Sequence, residues 1–258
     1  MADSEKSIRR IIAAGLLLAI TILLVFTRIG MIPVPTPAAN ATIAHIPAII
    51  GGILEGPIVG LIVGLGFGLS SFLNASIPLF KDPLVAILPR AFIGLASAVT
   101  FLLLKKASKR TLTIMLGILL LLMLVFSREV FLYTREAITN VLHGAEAAQG
   151  LTWANIIPDI VGVLAAILSL ALVTLLYLWV RRENPRIVTL AIAAAVGSLT
   201  NTVLVLSAGV WRGYIPVGAA WLIGLTHGIP EMVVSAIVVV AVVAALRHIS
   251  RGKQGSNL

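Results

Sequence analysis

From Ile43 to Leu73 the chain reads IAHIPAIIGGILEGPIVGLIVGLGFGLSSFL, with one acidic residue, Glu55, and no lysine or arginine. Glu55 and Gly56 divide it into two apolar runs, Ile43 to Leu54 and Pro57 to Leu73. Such runs, back to back, predict helices that turn around within an apolar environment. From that divide onward Gly56, Gly60, Gly64 and Gly68 recur every four residues. On a helix they share one stripe, where the lack of side chains lets a second backbone come close. The stripe predicts tight packing between helices of this chain.

The rest of the chain continues the pattern. Of its 258 residues 59% are hydrophobic and 11% charged, against roughly 45–50% and about 25% in soluble domains. Further candidate spans cover Ile8–Ile29, Leu84–Leu104, Leu112–Phe126, Ile156–Val180, Ile187–Ala208 and Val217–Leu246. The expected fold class is all-α: a polytopic bundle of eight spans in one transmembrane domain. No small-residue cleavage site follows the first run, which predicts a retained helix rather than a signal peptide.

The formal charge of +9 is distributed as membrane topology. Basic clusters at Lys6, Arg9 and Arg10, at Lys105, Lys106, Lys109 and Arg110, at Arg181, Arg182 and Arg186, and at Arg247, Arg251 and Lys253 fall on one side of an eight-span chain. Positive loops are cytoplasmic, so both termini are expected inside. Nucleic-acid binding would want a basic face with aromatic platforms, and only 6% of residues are aromatic. Between the spans, Gly30–Thr42 carries Pro33, Pro35 and Pro37, a stiff extended segment. Asn74–Pro83 is short and polar, and Arg128–Trp153 is longer and amphiphilic.

Polar groups inside the membrane are costly and need partners, so they mark sites. Arg90 lies about 9 Å from the outer end of its helix at 1.5 Å per residue. Asn201 lies beside Thr200 and Thr202. His227 and Glu231 are four residues apart and share a face, with Pro230 between them. His45 is near the outer end of the second run. Arg90 and Glu231 are candidates to pair. In the first run, Gly15 and Ala19 form a small pair four residues apart, suited to an approaching helix.

Catalytic signatures are absent. There is no cysteine, no phosphate loop and no nucleophile elbow, and His227 with Glu231 lacks the second histidine of a zinc-protease helix. The sequence predicts no enzyme activity, no cofactor and no metal site. Active transport would draw on an ion gradient or on a partner that hydrolyses ATP.

Four stretches together resemble the substrate-binding (S) components of energy-coupling factor (ECF) transporters. ATIAHIPAIIGGILEGP (41–57) with the glycine stripe is similar to their second and third helices. DPLVAILPR (82–90) is similar to the start of the fourth, GSLTNTVLV (197–205) to the fifth, and GIPE (228–231) to part of the sixth. The pattern looks closest to pantothenate-type members. It covers residues 8–107 and 186–246, which the resemblance makes the S-component core. Residues 110–185 then form an inserted helix pair with an outer loop.

The resemblance implies high-affinity capture of a water-soluble vitamin in a prokaryotic plasma membrane. The partners would be a transmembrane coupling subunit and two ATPase subunits, with no nucleic acid. Arg90 would meet a carboxylate, and Asn201, Thr200, His227 and Glu231 would bind hydroxyl and amide groups. His45 and Asn74 would help close the outer mouth, and Gly15 and Ala19 would face the coupling subunit. The residues alone leave two other readings open, an ion-coupled secondary transporter and a membrane-embedded hydrolase.

Overall fold

Proline, glycine and two polar caps set most of the helix boundaries. The computed structural model describes residues 2–33, 40–115, 117–118 and 181–255, with isolated positions between 160 and 179. The chain divides into two compact units, Met1–Lys106 with Thr189–Leu258, and Ala107–Val188.

In the first unit, α1 (Ala2–Phe26) ends where Arg28 takes a left-handed backbone, φ 58°. The extended segment expected at Gly30–Thr42 folds at its two ends into an antiparallel pair, β1 (Met31–Pro33) and β2 (Asn40–Thr42), with Met31 opposite Thr42. Helix α2 (Ile46–Glu55) stops at Gly56, whose φ of 103° glycine adopts readily. Pro57 then starts α3 (Pro57–Leu73), at the position where a missing N–H costs nothing.

The run expected as one helix from Leu84 is two. A 3-10 turn (Pro78–Lys81) leads to α4 (Pro83–Ala86), and α5 (Leu88–Leu104) follows after Ile87. The Asp82 carboxylate caps α4 by accepting from the Leu84 amide at 2.9 Å. Pro89 has no N–H to give the Val85 carbonyl, so the helical ladder lapses between the two pieces.

Helix α6 (Pro185–Trp211) begins after Asn184, whose side-chain oxygen accepts from the Arg186 amide at 3.0 Å. The last expected span is α7 (Val217–Ile223), a π turn (Gly224–Gly228) and α8 (Ile229–Gly255). The π turn ends two residues before Pro230, which has no N–H to give the Thr226 carbonyl in an ordinary helical ladder.

The core of this unit joins Ile49 and Ile53 of α2, Val63 and Phe67 of α3, Ile93 of α5, Ala194 of α6, and Val239 and Val243 of α8. Glycines make α2, α3 and α5 meet backbone to backbone. A Cβ on Gly60 would lie 2.7 Å from the Gly94 carbonyl, one on Gly68 2.7 Å from the Ile87 Cα, and one on Gly64 would overlap the Arg90 carbonyl. Gly56 shares their spacing but not their role: a Cβ there meets nothing within 4 Å, and the residue serves the turn.

In the second unit, Ser108 caps a helical start by accepting from the Thr111 amide at 3.1 Å. The span expected at Leu112–Phe126 is described only at its start. Most of Ile156–Val180, and the loop Arg128–Trp153, lie outside the described residues.

Outside this apolar core, many large apolar side chains lie on the outer surface while several polar ones are buried. Ile11, Leu103 and Ile237 are 71%, 75% and 64% exposed, while Thr21, His45, Ser97, Ser198 and Ser235 are fully buried. Among the described residues, helices long and apolar enough to cross a bilayer cover Ser7–Phe26, Pro83–Leu104, Pro185–Trp211 and Ile229–Leu246, with α2 and α3 shorter. The chain is a multi-pass membrane protein.

Candidate binding cavity

A cavity of about 300 Å³ opens among α3, α5, α6, the π turn, α8 and the segment 74–80, within the first unit. Arg90, Asn201, His227, Glu231 and Asn74 all line it. These residues come from four separate stretches of sequence, His227 and Glu231 sharing one.

Arg90 is held by the helix break at its own N-terminal side. Its Nη1 donates to the carbonyls of Ala86 at 2.6 Å and Val85 at 3.5 Å. The guanidinium carbon lies 4.9 Å from the ring centroid of Phe67 and 4.7 Å from that of Phe80. Both rings present an electron-rich face to the cation. Arg90 is only 4% exposed, its Nε has no hydrogen-bond partner, and it forms no ion pair with a carboxylate among the described residues.

The expected pairing of Arg90 with Glu231 is therefore corrected. The buried Glu231 carboxylate accepts instead from the Thr42 amide of β2. An edge strand leaves such amides in need of a partner, and Glu231 supplies one. Asn201 is buried on α6, and its Oδ1 has no partner. His227 is 4% exposed in the π turn. Asn74, at the end of α3, donates from Nδ2 to the Val25 carbonyl at 3.1 Å and so ties the cavity's rim to α1.

Two sequence candidates do not line the cavity. His45 is wholly buried, with Nε2 3.1 Å from the Ser198 hydroxyl and 2.8 Å from that of Ser235, so it joins α2 to α6 and α8. The Thr200 hydroxyl donates back to the Val196 carbonyl at 2.7 Å, and on the same helix it is Thr202 that lines the cavity. Sequence reading also passed over Arg28, Thr42, Phe67, Ser71 and Phe80 as lining groups. Phe67 and Ser71 are four apart and share a helical face. The others reach the cavity only through the tertiary fold.

The lining thus carries two guanidiniums, Arg28 and Arg90, and one carboxylate already engaged by a backbone amide. This balance favours an anion. The unpartnered Nε of Arg90 offers a donor and Oδ1 of Asn201 an acceptor.

Residues 9–134 match the family model described as ECF transporter, substrate-specific component. No curated protein matches the chain. The matched stretch contains α1 from Arg9 onward and α2 to α5, and with them Thr42, Phe67, Asn74, Phe80 and Arg90. It runs past Lys106 into the residues read above as the inserted pair, and it ends before Ile187–Leu246, which were likened to the same family on their motifs.

On the outer face of α1, Gly15 and Ala19 are exposed, and a Cβ on Gly15 would meet nothing within 4 Å.

Proposed function

We propose that this chain is the substrate-capturing subunit of an ATP-driven ECF transporter and takes up a water-soluble vitamin, pantothenate first. The observation that carries the reading is Arg90: a buried guanidinium with an unpartnered Nε and no carboxylate paired to it, in a cavity that also exposes Asn201, His227 and Thr202. Removing a cation from water is costly unless an anion or hydrogen bonds compensate, and a ligand carboxylate would do so. The family match supports a transport component rather than an enzyme.

In this reading Arg90 takes the carboxylate, Asn201 accepts from a ligand hydroxyl or amide, and His227 and Glu231 line the far wall. Asn74 holds the rim. His45 and Thr200 shape the helices around the cavity rather than touch the ligand. The membrane is the prokaryotic plasma membrane, crossed eight times with both termini inside. Residues 8–107 and 186–246 are the working core, and 110–185 an added helix pair. The exposed Gly15 and Ala19 face the coupling subunit, which joins two ATPase subunits.

Two experiments test this. In liposomes, the chain reconstituted with a coupling subunit and two ATPases should import pantothenate only with ATP. Gradient-driven import by the chain alone would favour the secondary-carrier reading. Reporter fusions at Lys109 and Glu183 should read cytoplasmic and one at Gly144 external. A cytoplasmic Gly144 would remove the added pair.

A further inference from the structure

We infer that Asp82 and Arg212 form a clasp that positions Arg90 in the cavity. The inference rests on Arg90 being the anion-binding group proposed above.

Three of the contacts that hold Arg90 come from one short segment. Phe80 supplies a ring against the guanidinium, and Val85 and Ala86 supply the carbonyls that Nη1 bonds. Asp82 sits between them in sequence. Its Oδ1 caps α4 through Leu84, while its Oδ2 accepts from Arg212 Nε at 2.6 Å and from the Tyr214 hydroxyl at 3.3 Å. Arg212 directly follows α6, the helix that carries Asn201 into the cavity. Beneath the clasp, Leu79 and Val85 pack on Val205 of α6. The clasp therefore fastens the segment behind Arg90 to the helix carrying the opposite wall. A charge-assisted bond at this place restrains Phe80 and the two carbonyls together, and through them the direction of the guanidinium.

The two halves of Asp82's work are separable. Arg212→Gln leaves the Leu84 cap intact and removes the charged partner. Asp82→Asn keeps an acceptor for Leu84 and removes the charge. Both are conservative, and Arg212 is partly exposed, so folded protein is expected. Arg212→Lys restores a cation without the planar donor.

The first measurement needs no ligand. In protein labelled with ¹⁵N-arginine, the Arg90 Nε–Hε resonance is the one lost in Arg90→Lys, and the two flanking rings displace it from ordinary arginine positions. Asp82→Asn and Arg212→Gln should each move it toward those positions, and the double variant no further than either, since partners in one interaction are not additive. Arg9→Gln, which breaks the separate Arg9–Glu55 pair, should leave it unmoved. The second is a titration with pantothenate. Either clasp variant should weaken binding about tenfold, as for loss of one charge-assisted hydrogen bond, with Arg212→Lys recovering part of it. An Arg90 resonance unmoved in both variants overturns the clasp, whatever the titration gives. A resonance that moves while Arg90→Ala still binds pantothenate as the unaltered protein does keeps the clasp and removes the anion-binding role.

Discussion

Helices α3 and α5 meet twice, and the two meetings obey opposite rules. Along Gly60, Gly64 and Gly94 the backbones touch, and a single added carbon has nowhere to go. On a neighbouring face the same helices turn Phe67, Ser71 and Arg90 toward a cavity in which Arg90 Nε has no partner. The first region is saturated with contacts. The second holds a buried guanidinium by one edge, with Nη1 on the Ala86 and Val85 carbonyls, and leaves its Nε without a partner. The close packing fixes the helices, and fixed helices can hold an unpaired cation at a cost that a flexible site would avoid by rearranging.

The sharpest way to break the contrast is to overfill the first region. Gly64→Leu sets side-chain atoms against the Arg90 carbonyl, a backbone atom that cannot turn aside. It should exceed the usual 1–3 kcal/mol of overpacking and leave little monodisperse protein in detergent. A well-folded variant with an unchanged thermal midpoint would show that the helices are not closely joined there. Gly56→Ala is a smaller change of a different kind. There is space for the methyl group, but a φ of 103° strains any L side chain, so a loss of roughly 1–3 kcal/mol is expected. Equal effects of the two substitutions would erase the distinction between packing and turn glycines.

A third test uses pH. The Arg212 hydrogen bond, assisted by the Leu84 amide and by Tyr214, holds the Asp82 carboxyl below its ordinary value. Arg212 is pushed up by the same contact and stays charged throughout. A depressed carboxyl stabilises the fold fully above the unfolded value of about 3.9 and loses that contribution as pH falls through the lower folded value. The gap in thermal stability between the unaltered protein and Asp82→Asn should be constant from pH 7 to 5 and close as the pH is taken below 4. A gap that persists undiminished would assign the pair no electrostatic role. The smallest effect is expected at the outer face of α1, where Gly15→Leu should leave stability and binding unchanged, because nothing lies within 4 Å, while ATP-driven uptake falls. Loss of binding would place that face inside the fold.

The sequence made the helices legible where composition alone decides them. Pro57 to Leu73 is apolar, begins with proline and ends at a polar asparagine, and the helix has those limits. The break at Ile87 is invisible to hydropathy, which cannot register a carbonyl left without its donor; Pro83 and Pro89, six residues apart, are its signal in the sequence. The glycine stripe misled at Gly56 because spacing of four does not say where a helix starts. In the cavity, Arg90, Asn201, His227 and Glu231 stood out as polar residues in apolar runs, and the fold brings them together. What they bond could not be read. Glu231 meets a backbone amide 189 positions away, and Phe80 reaches Arg90 only because Asp82 and Pro83 turn the chain.

The proposed function requires that Arg90, whose Nε has no partner, receives the ligand's carboxylate. Titration of purified, folded Arg90→Ala and Arg90→Lys with pantothenate by calorimetry tests this most directly. Arg90→Ala should weaken binding by roughly 2–5 kcal/mol, the cost of removing one partner from a buried charge pair, and Arg90→Lys should recover only part, for want of the planar fork. If Arg90→Ala stays folded and binds with the affinity of the unaltered protein, the guanidinium merely clips the break between α4 and α5, and the carboxylate reading is wrong.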